Sequence, residues 1–388
     1  MTAVLPDALQ VRLKRGFAEA FGGHPQGTVR APGRVNLIGD HTDYNDGFVF
    51  PAAIDLETRI AWRAREDGRI NAVAIDLGGE TDSFAVTGRP DRVGGWRDYV
   101  RGSLAAMQNQ AWNVAGADLA IAGSIPHGSG LSSSASLEVA TIEALCAACG
   151  TPPRSAQSVA QLAQAAEIDF VGVKCGIMDQ LAITAGKAGH ALLIDCRSLA
   201  INRVLIPDKA ALLIVTSGVE RGLVDGEYNT RRRECDDAAR TMGKSSLRDV
   251  DAEMLAACRA TLVPVLYRRA SHVVSENQRV LAFVSALQNG DLAHAGRLMA
   301  QSHASLRDLF EVGHPKVDEL VDLIECELSG IGGARMTGGG FGGAIVALMP
   351  TTAVAKVTTV VRERYRTPQG TQPFILEARP SSGVSRIE

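Results

Sequence analysis

The chain has 388 residues, 46% hydrophobic and 21% charged. This is the balance of a soluble globular protein, with room for two cores because single cores seldom grow past about 250–300 residues. The formal net charge of −3 excludes a global pull toward nucleic acid or an anionic membrane. No apolar run reaches the ~18 residues of a membrane span, and Met1–Gln10 carries no basic-then-apolar signal segment. The 7 cysteines are scattered, so a reduced, cytoplasmic protein is expected. Cys146 and Cys149 form a pair in mid-helix without a second pair, which argues against zinc.

In chain order, Leu9, Leu13, Phe17 and Phe21 recur at helical spacing, and Gly22-Gly23 ends that helix. In the stretch Thr28–Gly47, Arg34, Asp40, His41 and Asp43 are interleaved with apolar residues. Short strands flanking a turn would bring these four to one rim. They form either a polar surface loop with structural ion pairs or a pocket for a polar ligand. Neutral sugars are bound in this way, by carboxylates and imidazoles that exchange hydrogen bonds with hydroxyls. Residues 48–61 and 69–87 read as strands, 96–110 as a helix and Leu119–Gly123 as a strand.

The loop Pro126–Ser136 is the strongest local signal. Gly128 and Gly130 let a bulky anion approach the backbone, and Ser132, Ser133, Ser134 and Ser136 add hydroxyls and N–H groups. A helix pattern follows at once and ends at Gly150. The loop therefore stands at a helix N-terminus, which attracts phosphate. It is neither a Walker A loop nor a dinucleotide fingerprint.

Val159, Leu162, Ala163 and Ala166 mark a further helix carrying Glu167. Asp179 then lies close to Gly176 in apolar surroundings. It is either a helix cap or a buried carboxylate, which needs a partner such as Arg34. Residues 190–196 and 211–216 read as strands, and the break at 197–210 suggests domains of 1–200 and 201–388. Helices are expected at 227–242, 264–288, 291–308 and 315–328, with Arg231–Arg233 on a solvated face. Five glycines surround Phe341 within 337–343, which suggests backbone pressed close to a ligand or a loop. A strand at 344–349, a helix at 353–364 and a strand at 373–378 complete an α/β (α+β) pattern.

Three stretches together resemble the GHMP kinase superfamily and, within it, the galactokinase family: Gly33–Asn45, Pro126–Ser136 and Thr337–Gly343. Cys175–Gln180, Gly189–Leu199 and Glu227–Arg233 extend the resemblance over most of the chain in the correct order. The resemblance implies two α/β domains, a mixed-sheet N-terminal one and a ferredoxin-like C-terminal one, with the active site between them. It implies transfer of the ATP γ-phosphoryl group to the anomeric hydroxyl of galactose by a monomeric enzyme. Asp179 would be the catalytic carboxylate and Arg34 its orienting cation. Asp40, His41, Thr42, Asp43, Gly176 and Tyr228 would bind the sugar. Gly128, Ser129, Gly130, Leu131, Ser132, Ser133 and Ser134 would wrap the nucleotide phosphates, and Ser134 with Glu167 would hold Mg²⁺.

Two features depart from the family. Asp40 stands where the family has Glu, which shortens the reach toward the sugar's far hydroxyl. Thr216–Gly222 is also unlike the commoner run, so a related sugar (N-acetylgalactosamine, arabinose or galacturonate) is the alternative substrate. A non-catalytic sugar and ATP sensor is the least favoured reading, because Ser132–Ser136 is complete and Asp179 is present.

Overall fold

The computed structural model describes residues 6–152, 154–219 and 224–387. Part of the departure at 216–222 therefore lies outside the described residues. Helix α1 (Pro6–Phe21) is followed by strands β1 (Gly27–Asn36), β2 (Phe48–Val49), β3 (Pro51–Arg65), β4 (Arg69–Ala74) and β5 (Glu80–Ala85). Then come α2 (Trp96–Asn109), β6 (Gly116–Gly123), α3 (Ser133–Ala148), α4 (Ala156–Ala165) and α5 (Met178–Ala185). Strands β7 (His190–Asp195), β8 (Ala200–Leu205) and β9 (Ala210–Thr216) precede the helices α6 (Val224–Thr241), α7 (Ala252–Ala257), α8 (Pro264–Gln288), α9 (Leu292–Ser305) and α10 (Pro315–Leu328). The last elements are β10 (Gly333–Thr337), β11 (Ala344–Pro350), α11 (Val354–Arg364), β12 (Ile375–Ala378) and β13 (Ser385–Ile387).

A mixed sheet runs β13-β1-β3-β6-β4-β5, with β4 parallel to β6 and the other pairs antiparallel. An antiparallel sheet β10-β11-β9-β12 and a smaller one, β2-β7-β8, complete the described strands. Helix α1 buries Leu9, Leu13 and Phe17 on one face of the mixed sheet, against Ala61 and Ala120. On the other face α2, α3 and α4 pack Leu104, Val139, Ile142 and Leu162 over Ile60 and Leu119. Helix α3 is buried on all sides from Ala135 to Ala147, so its N-terminus is held rigidly by the core.

The β10-β11-β9-β12 sheet packs Val215, Met336 and Ile345 against Val273, Leu320 and Val361. Its opposite face, through Ile214, Val346 and Leu348, shares one apolar cluster with Val35, Ile38, Ile54 and Phe283. That cluster joins the two halves of the chain directly beneath the loop that follows β1.

Several boundaries differ from the sequence expectation. The strand at 48–61 breaks at Phe50, because β2 pairs with β7 while β3 pairs with β1. The 291–308 helix ends as α-helix at Ser305 and continues as a π-helical turn, Leu306–Phe310. The supposed break at 197–210 contains β8, a mostly exposed edge strand without a clean apolar alternation. Strand β13 returns to pair with Thr28–Arg30 of β1.

Arg386 on β13 donates to Glu143 Oε2 at 3.0 Å and to Thr151 O at 2.8 Å, at the far end of α3. Glu143 is only 5% exposed. Removing its cation strands a buried charge, so Arg386→Ala should lower the unfolding free energy by about 1–3 kcal/mol. Arg386→Ala/Glu143→Gln should recover part of that loss, with calorimetric melting of both variants as the measurement.

Candidate active site

Strand β1 ends beside a cavity of about 390 Å³. Its wall is built from Arg34, the following loop (Asp40, His41, Asp43), the glycine-serine loop, the segment from Glu167 to Asp179, Tyr228 of α6, and Gly338-Gly339. Arg34 is 4% exposed, and each of its three guanidinium nitrogens donates a hydrogen bond. Nε donates to Asp179 Oδ1 at 2.6 Å, Nη2 to Asp179 Oδ2 at 2.8 Å, and Nη1 to Gly130 O at 2.6 Å. The Arg34 N–H also donates to Leu131 O at 3.1 Å. The glycine-serine loop is thus pinned to β1 by backbone and side chain together. Asp179 sits in the first turn of α5, and its Oδ2 accepts a further bond from Ser132 Oγ at 2.5 Å.

The helix behind the loop begins four residues earlier than the apolar pattern suggests. Ser133 and Ser134 form its first turn, entered through Ser132 at φ 62°. Gly128, Gly130 and Ser132–Ser134 line the cavity. Leu131 is instead buried at 1% exposure, and the Ser129 hydroxyl donates back to Pro126 O.

The loop after β1 is self-braced. The Thr42 hydroxyl donates to Gly39 O and Phe48 O, and the side chain is fully buried, away from the cavity wall. His41, at φ 65°, faces Phe310 at 4.6 Å and Tyr228 at 5.5 Å, and its Nδ1 meets Tyr44 Oη at 2.8 Å. Both Asp40 oxygens are engaged, Oδ2 by Arg335 Nη2 at 2.5 Å and Oδ1 by the Gly338 N–H at 3.2 Å. A Cβ at Gly176 would collide with the Asp43 carboxylate. Only glycine lets that carboxylate stand where it does.

Carboxylates crowd the cavity. Burial, then the charge of Asp179, pushes the Asp43 carboxyl up to about 7. The same two causes push Glu167 up to about 7. Glu167 lies in a π-helical turn, Ala166–Val171, where Oε1 accepts from Ser134 Oγ at 3.2 Å and Oε2 from Gln180 Nε2 at 2.8 Å. Arg335 and Ser132's bond to Asp179 carried no sequence signal, because each is set by long-range packing. The glycine run around Phe341 did flag the wall formed by Gly338-Gly339.

The galactose-binding signature of galactokinases matches residues 15–64, the GHMP kinase N-terminal domain 98–187 and the GHMP kinase C-terminal domain 283–367. Among solved structures, galactokinase of Lactococcus lactis in complex with galactose is 33% identical, with 97% of this chain and 99% of that one aligned at a TM-score of 0.91. The mevalonate kinase of Methanococcus jannaschii, 18% identical, aligns over 93% of this chain and 99% of its own at a TM-score of 0.66. A D-glycero-D-manno-heptose 1-phosphate kinase from Bacteroides thetaiotaomicron, 15% identical, aligns over 93% and 98% at 0.63. These last two share the fold.

A mixed-sheet half and an antiparallel-sheet half, with a glycine-serine loop at a helix N-terminus between them, define a two-domain GHMP kinase, a class of ATP-dependent phosphotransferases. Within that class the chain belongs to the galactokinase family and is an ATP-dependent sugar kinase. No helix among the described residues is long and apolar enough to cross a membrane.

The crowding can be read directly. In the free protein the Asp43 carboxyl should titrate near pH 7. Asp179→Asn removes the neighbouring charge and should move that midpoint down toward the ordinary Asp value, as followed by carboxyl-selective carbon NMR. An unmoved midpoint would show that burial alone sets it.

Proposed function

We propose that the chain transfers the γ-phosphoryl group of ATP to the anomeric hydroxyl of D-galactose, giving galactose 1-phosphate, in the cavity around Arg34 and Asp179. The observation that carries this reading is the bidentate Arg34–Asp179 pair, set between the glycine-serine loop and the polar loop 40–43. Phosphoryl transfer asks a protein mainly for positioning and charge stabilisation. The N-terminus of α3 and the loop 128–134 receive the phosphates, with Leu131 and Ser129 contributing backbone. The sugar lies against His41, Asp43, Gly176 and Tyr228, with Asp40 at its far end and Thr42 shaping the turn. The bond between the β-γ bridging oxygen and the γ-phosphorus breaks as the anomeric oxygen bonds that phosphorus, and Asp179 takes the hydroxyl proton. Arg34 holds Asp179 in place and stabilises the charge on the transferring group.

Ser134 and Glu167 present hard oxygens 3.2 Å apart beside the phosphate loop. This suits Mg²⁺, which takes one or two protein oxygens and completes its shell with water and phosphate. When bound there, Mg²⁺ would neutralise charge on the nucleotide phosphates. The division of the chain near residue 200, a monomeric state and a cytoplasmic location belong to the same proposal.

The test is a coupled assay of ADP release over galactose, N-acetylgalactosamine, arabinose and galacturonate. Galactose should give the highest kcat/KM, and a clear preference for another sugar would replace the substrate assigned here. Asp179→Asn should cut turnover by about 10²-fold or more, the usual scale for a positioned acid–base group, with the fold intact by circular dichroism.

Asp40 supplies the finer test. Its carboxylate is drawn back onto Arg335 and Gly338, so it offers the sugar only its remaining lone pairs. Asp40→Glu lengthens the reach and should sharpen preference for galactose over 6-deoxygalactose by about 1 kcal/mol, a typical net hydrogen bond. The readout is the ratio of kcat/KM for the two sugars. An unmoved ratio would leave Asp40 as a brace and recognition to His41 and Asp43.

A further inference from the structure

The loop from Gly39 to Phe48 carries Asp40, His41 and Asp43, yet its placement is fixed by a helix from the other half of the chain. Three residues of α8 bond its backbone. Glu276 Oε1 accepts from the Gly39 N–H at 3.0 Å. His272 Nε2 meets Asp40 O at 3.1 Å. Asn277 Oδ1 accepts from the Phe48 N–H at 2.8 Å. His272 and Glu276 are fully buried, Asn277 is 9% exposed, and none of the three lines the cavity.

Each of these groups is itself held in one orientation. A carbonyl can only accept, so His272 Nε2 carries the proton, and Nδ1 accepts from Ser305 Oγ at 2.8 Å. Burial keeps this imidazole neutral by lowering it to about 4, which preserves that tautomer. Glu276 receives Ser302 Oγ at 2.5 Å on Oε1 and Arg279 Nε at 2.7 Å on Oε2. His272, Glu276 and Val280 recur at four-residue intervals on one helix face. At its far end a Cβ on Gly39 would press on Val280 at 2.8 Å. The loop's internal bonds from the Thr42 hydroxyl and to Thr42 O make it a rigid unit. Fixing it at Gly39, Asp40 and Phe48 therefore fixes the direction of its side chains.

We propose that His272, Glu276 and Asn277 are positioning residues for sugar selection, which they control without touching the sugar, by seating the 39–48 loop on α8. The inference rests on the reading that this loop binds the sugar. Seating errors are transmitted to Asp40, His41 and Asp43, whereas the nucleotide loop 128–134 is pinned separately through Arg34. Loss of one α8 contact should therefore weaken galactose binding and leave nucleotide binding in place.

The experiment measures KM for galactose, KM for ATP and kcat in Asn277→Ala and Asn277→Asp. In Asn277→Ala the galactose KM should rise about five- to tenfold, the size of one lost buried acceptor, with ATP KM and kcat within about twofold. Asn277→Asp keeps the acceptor facing Phe48 N and should restore the galactose KM, a rescue that a purely structural role would not produce. Ser302→Ala, a milder change behind Glu276, should give the same split and serves if Asn277→Ala is not recovered folded. Equal shifts of both KM values, or no shift in galactose KM, would overturn the proposal. His41→Ala and Asp43→Asn are measured alongside. If these leave galactose KM unchanged, the sugar-loop reading itself fails. If they raise it while Asn277→Ala and Ser302→Ala do not, only the role of α8 fails.

Discussion

Arg34 is the point on which the site depends. Its guanidinium ties the end of β1 to the glycine-serine loop at Gly130 and to the first turn of α5 at Asp179. Burying a charged pair costs desolvation that geometry must offset. Here the bidentate pair and the carbonyl bond use the donors on all three nitrogens, in the orientation that a planar fork favours over a lysine ammonium. Asp40 and Asp43 lie in the same electrostatic field. Without Arg34, Asp179 would lose its paired charge, and the loop would lose its anchor. Placement of the phosphate loop and of the proton acceptor thus follows from one side chain.

The second half of the chain supplies the support for the first. The π-helical turn Leu306–Phe310 directs carbonyls away from ordinary helix bonding, a common trait of such turns near functional sites. Arg269 takes Leu309 O, while Arg231, buried and not on the solvated face expected for it, takes Phe310 O and Glu311 O. With these satisfied, Phe310 lies between His41 and His272, 4.6 Å from each. The next residues extend the brace, because Val312 O accepts from the Phe341 N–H at 2.7 Å and so holds the glycine-rich loop whose Gly338 meets Asp40. The other π-helical turn carries Glu167. One irregularity thus supplies a cavity residue, Glu167, and the other backs His41 through Phe310.

What the sequence disclosed follows from the range of the forces involved. The glycine-serine loop, the glycine run at 338–343 and the long amphipathic helices are local features. Each could be read because turn chemistry and periodicity operate within a few residues. The convergence of Arg34 with Asp179 was anticipated in two ways, as the partner that a buried carboxylate requires and as the orienting cation that the resemblance implies. Ser129, Leu131 and Thr42 belong to the same motifs, yet their side chains bond or pack away from the cavity, and the motif alone does not say which way a side chain turns. Strands β8 and β13 escaped because an exposed edge strand and a three-residue return strand gain their structure from partners already in place. The α8 seat escaped for the same reason: His272, Glu276 and Asn277 look like interruptions of a helix pattern until the loop they hold is present.

The crowded carboxylates bring function and stability into conflict in a specific direction. Asp43 and Glu167 are each pushed up by burial and by Asp179, and Glu138, wholly buried on α3, is pushed up by burial and by Glu167. Such a cluster opposes folding, since burying a charge without full compensation is costly. The apolar packing around α3 and the cluster shared between the two sheets tolerate it. Native proteins break local consistency at functional sites in this way, while the surrounding structure carries the strain. The sign of the imbalance matters as well. Carboxyls pushed up in this way are partly protonated near neutral pH, so the empty cavity carries less negative charge than its carboxyl groups would otherwise give it, and positive potential is concentrated at Arg34 and the N-terminus of α3. In the reading proposed above, a divalent cation at Ser134 and Glu167 would draw Glu167 toward its ionised form as the nucleotide arrives.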